Sequence, residues 1–139
     1  MPDTLRRRGE GLWLVMVAVA LIVIAGPAFG HSCTQTAWQP DLHGNGSEIA
    51  AHGHTDCTGE NGNDRHEVRL YRVISLLPDD LWGSAVDTPG GGHGFGRYTG
   101  WVETCEDPNA NNVMQTWVKF TGNHTLTAKN NSEGPMSCS

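Results

Sequence analysis

Basic residues are scarce over most of this 139-residue chain. Only six Lys and Arg (Arg65, Arg69, Arg72, Arg97, Lys119 and Lys129) follow residue 30, against thirteen Asp and Glu, a formal −7. Phosphate-backbone binding needs clustered cations that displace counterions, so nucleic acid is not an expected partner. Helix-forming stretches are absent from the same region, because Gly, Asn, Asp, Pro, Ser and Thr interrupt it every few residues. No two cysteines have the C-x-x-C spacing of a zinc ribbon or redox dithiol. There is no G-x-S-x-G elbow and no G-x-x-x-x-G-K-[ST] phosphate loop, and the Ser, His and Asp residues show no pattern that selects a triad. Length excludes large enzyme folds. The 109 residues from His31 onward suit one small domain, far short of the roughly 250 of a (β/α)₈ barrel.

The one long apolar run, residues 12–25, follows Arg6, Arg7 and Arg8 and precedes Gly26 and Pro27. A positive segment, an apolar core and small residues near a cleavage point make a secretory signal peptide of residues 1–30. Cleavage after Gly30 makes His31 the first mature residue, and cleavage after Ala28 is the alternative. A retained membrane anchor usually needs about 20 apolar residues, more than this run supplies. The chain is therefore expected to be secreted, touching a membrane only through that segment before cleavage. Residues 31–139 are expected to form a single domain that is monomeric.

All four cysteines, Cys33, Cys57, Cys105 and Cys138, lie in the exported part. An even count in a small secreted domain indicates two disulfides, with three possible connectivities. Cys33–Cys57 with Cys105–Cys138 is favoured, since each bond staples one chain end to a neighbouring strand; the nested pairing is the alternative.

Alternation of apolar and polar residues replaces helical periodicity. In residues 47–57, Ile49, Ala51 and Cys57 share one face and His52, His54 and Asp56 the other. In residues 67–77, Val68, Leu70, Ile74 and Leu76 share a face. Residues 98–104 and 113–121 follow, the latter placing Met114, Thr116, Val118 and Phe120 together. Gly122 and Asn123 then separate Thr121 from His124, a two-residue hairpin signal, and residues 125–129 return as a last strand. Five or six short strands predict an all-β fold, a small antiparallel immunoglobulin-like sandwich or a small barrel, with two disulfides and a preceding signal-peptide helix.

The export segment, Cys57 closing an early strand, the strand through Val68, Cys105 and the last-but-one Cys138 together resemble a group of proteins. These are small secreted actinobacterial proteins that form disulfide-stapled immunoglobulin-like sandwiches and mostly lack assigned functions. The resemblance implies fold and export, and no reaction.

Histidine is abundant: His31, His43, His52, His54, His66, His93 and His124. His52 and His54 flank Gly53 and would project from one strand face, where they could share copper or zinc with a third ligand such as His43, His66 or Asp56. His31, as a free N-terminus, could chelate copper through its amine and imidazole. Solvated histidines with no metal are the simpler alternative. Trp82 and His93 fall in residues 78–94, a segment long enough to be a functional loop. There Trp82 is either an exposed platform for a sugar or protein, or a cap on the sandwich. Asp107, Asn109 and Asn111 begin like a calcium loop, but position twelve is Val118 where a bidentate Glu is needed, so an Asx turn is expected.

Three function classes follow. The first is a secreted, non-catalytic binding or envelope-associated accessory protein with a protein or carbohydrate ligand at the cell surface. The second is a copper- or zinc-binding protein using surface histidines. The third is a small secreted hydrolase of unrecognised type.

Overall fold

A computed structural model describes residues 32–60, 62–88 and 96–139. Residues 1–30, where a signal peptide is expected, His31, His93 and the glycines at 90–92 lie outside the described residues. Eight strands make up the described chain: β1 (Cys33–Ala37), β2 (Asp41–His43), β3 (Glu48–Cys57), β4 (Arg65–Arg72), β5 (Asp80–Asp87), β6 (Arg97–Thr104), β7 (Met114–Thr121) and β8 (Thr125–Asn131). A 3₁₀ turn at Gly44–Gly46 joins β2 to β3. The expected all-β class is what forms, as two antiparallel sheets.

In the first sheet β3 is central and β6 pairs along one side of it. β1 and β2 share the other side end to end, β2 against residues 48–50 and β1 against residues 53–57. The second sheet runs β5-β4-β7-β8. Alternation explains which faces meet. Ile49 and Ala51 of β3 point inward, as do Val68 and Leu70 of β4 and Met114, Val118 and Phe120 of β7, all fully buried. Burying each large apolar side chain contributes about 1.5–3 kcal/mol.

A pair of glycines sets how closely the sheets approach. Gly53 and Gly100 are register partners in the first sheet. Val68 and Val118 are register partners in the second. A Cβ on Gly53 would lie 2.3 Å from Val118 Cγ2, and one on Gly100 would lie 2.4 Å from Val68 Cγ2. The valine pair therefore fills the room the glycine pair leaves.

Both disulfides have the favoured connectivity, Cys33–Cys57 and Cys105–Cys138. The first joins register partners of β1 and β3. The second ties residue 105, just past β6, to the chain end, which also bridges back through Asn112 and Met136.

Three expectations need correction. Residues 78–94 are not one long loop, because β5 occupies Asp80–Asp87. Its alternation is broken by a bulge: Leu70 pairs with Gly83 and Tyr71 with Leu81, leaving Trp82 as the extra residue. Trp82 turns inward, is 5% exposed and joins the core with Ile49, Leu70 and Met114, so it is not an exposed platform. Second, the strand expected to reach residue 77 ends at Arg72. The Asp79 carboxylate accepts the Ile74 N–H at 3.4 Å and the chain turns there, leaving Leu76 fully exposed with φ +64°. Third, the β7–β8 connection has three residues, since Thr121 pairs with Thr125. It is held from outside: Asn123 donates its N–H to Glu60 Oε2 at 2.8 Å and its side-chain amide to the Gly59 carbonyl at 2.9 Å.

Candidate metal centre

The strand β3 presents Ala50, His52, His54 and Asp56 on the face away from the core, as alternation requires. Gly53 has a packing role, since its open side receives Val118 of the second sheet and no ligand. His52 and His54 do share a face, yet they do not share partners. His54 Nδ1 lies 3.1 Å from Thr99 Oγ1 on the neighbouring β6. His52 leans the other way, toward β2.

The β2 residues Asp41 and His43 are two apart and so project together. Their register against β3, Asp41 opposite Ala50 and His43 opposite Glu48, brings them alongside His52. His43 Nε2 is 3.1 Å from Asp41 Oδ2, and His52 Nε2 is 3.5 Å from Asp41 Oδ1. One donor atom from each of Asp41, His43 and His52 lies within 4.8 Å of the others. Four tetrahedral ligands at about 2.0–2.1 Å from an ion stand roughly 3.3 Å from one another, and each imidazole already lies near that distance from one oxygen of the Asp41 carboxylate, His43 from Oδ2 and His52 from Oδ1. The groups that come together with His52 are therefore His43 and Asp41, and not His54, His66 or Asp56.

Rings surround the cluster. Trp101, the register partner of His52, has its ring centroid 3.6 Å from that imidazole and 4.6 Å from His43. Trp38 meets His52 edge-on at 6.2 Å. Ala50 sits on this outward face and is nevertheless completely buried, as a residue under such a ring layer must be. The chain between β1 and β2 passes here too, and Trp38, Gln39, Pro40, Asp41, His52 and Asn130 line an adjoining cleft of about 510 Å³.

The electrostatics favour a lone pair on His52. Desolvation holds its pKa below the ordinary histidine value; Asp41 opposes that shift, His43 reinforces it and Glu103 opposes it. Its Nε2 atom is buried and makes no hydrogen bond, with Asp41 Oδ1 3.5 Å away. A buried polar nitrogen left in that state costs about 1–3 kcal/mol, and in the tautomer that leaves its lone pair free a bound cation would recover that cost. Two imidazole nitrogens and a carboxylate oxygen suit zinc(II) or copper(II). They lack the thiolate or thioether that selects copper(I) and the all-oxygen shell of calcium or magnesium.

The other residues named from sequence lie elsewhere. His66 is inward, 1% exposed and stacked on Tyr98 at 5.7 Å. The Asp56 carboxylate accepts from Arg97 Nε at 3.3 Å. Asp107 caps its own turn, its Oδ1 accepting the Asn109 N–H at 3.0 Å. Cys33 and Cys57 come close to Glu60 but are joined as a disulfide and offer no thiolate. Asp41, Trp38 and Trp101 were not singled out by sequence. The D-x-H spacing of Asp41 and His43, the same i, i+2 relation as His52 and His54, was the available clue.

No protein-family model matches this chain, and a search of curated proteins returns no significant relative.

Proposed function

We propose that this is an exported, non-catalytic binding protein whose ligand is a divalent transition-metal ion, copper(II) or zinc(II), held by Asp41, His43 and His52. The convergence of three donor atoms within 4.8 Å on a face that already buries one imidazole nitrogen carries this reading. Export is supported by the charged-then-apolar N-terminus and by two disulfides, which persist in oxidising compartments. The strand order supports an immunoglobulin-like assignment. β3 and β6 pair in one sheet while the intervening β4 and β5 join β7 and β8 in the other, as expected for a Greek-key sandwich. An envelope-associated accessory role, in a monomer, fits these features and the resemblance to small secreted actinobacterial sandwiches.

Isothermal titration of the purified protein with copper(II) and zinc(II) tests the proposal. One ion per chain binding at submillimolar affinity or better, lost in His52→Ala and retained in His54→Ala, supports it. No binding at neutral pH, or binding that His52→Ala leaves intact, overturns it.

A further inference from the structure

The second sheet turns a different surface to solvent. By register, Arg65, Glu67, Arg69 and Tyr71 of β4 face outward, beside Gln115, Trp117 and Lys119 of β7 and Lys129 of β8. Five of the six Lys and Arg after residue 30 lie on these three strands, and four of them, Arg65, Arg69, Lys119 and Lys129, are on this outer face. Its one carboxylate within the strands, Glu67, sits between Arg69 at 2.7 Å and Arg65 at 3.7 Å. A protein whose exported part is strongly acidic thus carries a locally basic sheet face.

The face is aromatic and amide-bearing as well as basic. Arg69, Trp117 and Lys129 form one row across adjacent strands. Strand spacing puts the two cations about 10 Å apart, comparable to the length of a disaccharide. The Arg69 guanidinium lies 4.6 Å over the Trp117 ring and donates to the Tyr71 hydroxyl at 2.9 Å, so Arg69 is held against Trp117 before any ligand arrives. Next to it, Tyr71, Asp79, Gln115, Trp117 and Lys129 line a cleft of about 290 Å³. Aromatic rings stack on the C–H faces of sugars, amides bond hydroxyls, and cations pair with carboxylates.

We infer that the outer face of the β5-β4-β7-β8 sheet is a docking surface for an acidic, carboxylated polysaccharide. The charge complementarity of this face selects an anionic polymer, and the aromatic and amide side chains among its cations select a sugar. It lies on the opposite sheet from Asp41, His43 and His52 and is independent of metal binding.

Affinity electrophoresis of the full protein through gels containing polygalacturonate tests this, with neutral galactan and a DNA oligonucleotide as comparisons. Polygalacturonate should retard the protein, and about 0.5 M salt should abolish the effect by screening exposed charges. Lys119→Ser combined with Lys129→Ser should weaken binding roughly tenfold, the loss of two exposed ion pairs. Both changes lie on partly exposed strand positions, and His52→Ala should bind as the parent does. Equal retardation by neutral galactan or by DNA, salt-sensitive self-association in place of polymer binding, or undiminished binding by the double variant would overturn the inference.

Discussion

Val118 Cγ2 lies 2.3 Å from where a Cβ on Gly53 would stand. That contact faces the core, and because strand side chains alternate it also sends His52 and His54, on either side of Gly53, to the outer face. Packing between the sheets and presentation of the imidazole are therefore one constraint on β3. Gly53→Ala should destabilise the fold by about 1–3 kcal/mol through overpacking. Val118→Ala added to it should recover part of the loss. Denaturant unfolding of the two single variants and the double variant measures that coupling.

The proposed metal centre should respond unequally to its neighbours. Asp41→Asn and His43→Ala should each weaken zinc binding at least tenfold, while His54→Ala should change it little. Calorimetric titration of the variants at fixed pH reads the contrast. Equal losses across all three would point to a diffuse imidazole effect.

Metal loading should also raise stability by mass action. An ion that binds only the folded chain contributes about 2.7 kcal/mol at a hundredfold excess over Kd. The thermal midpoint should rise on adding zinc and return on adding a chelator, and His52→Ala should show neither change.

How much of this was legible in the sequence differs between elements. β3, β4, β6 and β7 were visible because each buries residues on one face, so apolar residues such as Ile49 and Ala51, or Met114 and Val118, recur at alternate positions, while β8, which has no fully buried residue, was marked by the turn at Gly122 and Asn123. β5 was hidden because the bulge at Trp82 puts two consecutive residues on the same side and breaks the period. β1 and β2 are short edge strands with little apolar patterning. Their identity depends on register against β3, which no local pattern specifies. The same dependence concealed Asp41: it becomes a neighbour of His52 only once β2 has paired. The pairing of cysteines was legible because Cys33 and Cys57 bound two strands that must lie side by side.

The disulfides should each contribute about 3–4 kcal/mol in the chain-entropy model, closing loops with sequence separations of 24 and 33 residues. Cys33→Ser with Cys57→Ser, and separately Cys105→Ser with Cys138→Ser, should lower the denaturant midpoint by similar amounts. Reduction of both bonds together should cost more than either pair alone.

Alkaline pH should unfold the domain through Tyr98. Its side chain is 1% exposed, and burial, followed by Asp64, pushes the phenol well above its ordinary value. A raised folded pKa favours the neutral phenol in the fold. Its contribution is complete below about pH 10, the unfolded value, and is lost as pH rises above it. Tyrosinate absorbance from Tyr98 should therefore appear together with loss of the β-sheet circular dichroism signal, and Tyr98→Phe should remove that coupling.

The most direct test of the metal assignment is anomalous diffraction at the zinc edge from crystals of the zinc-loaded protein. The account predicts one peak bounded by His43 Nε2, His52 Nε2 and an Asp41 oxygen, each at about 2.0–2.2 Å. A peak beside His54 and Thr99, or none at Asp41 in a stoichiometrically loaded crystal, would contradict it.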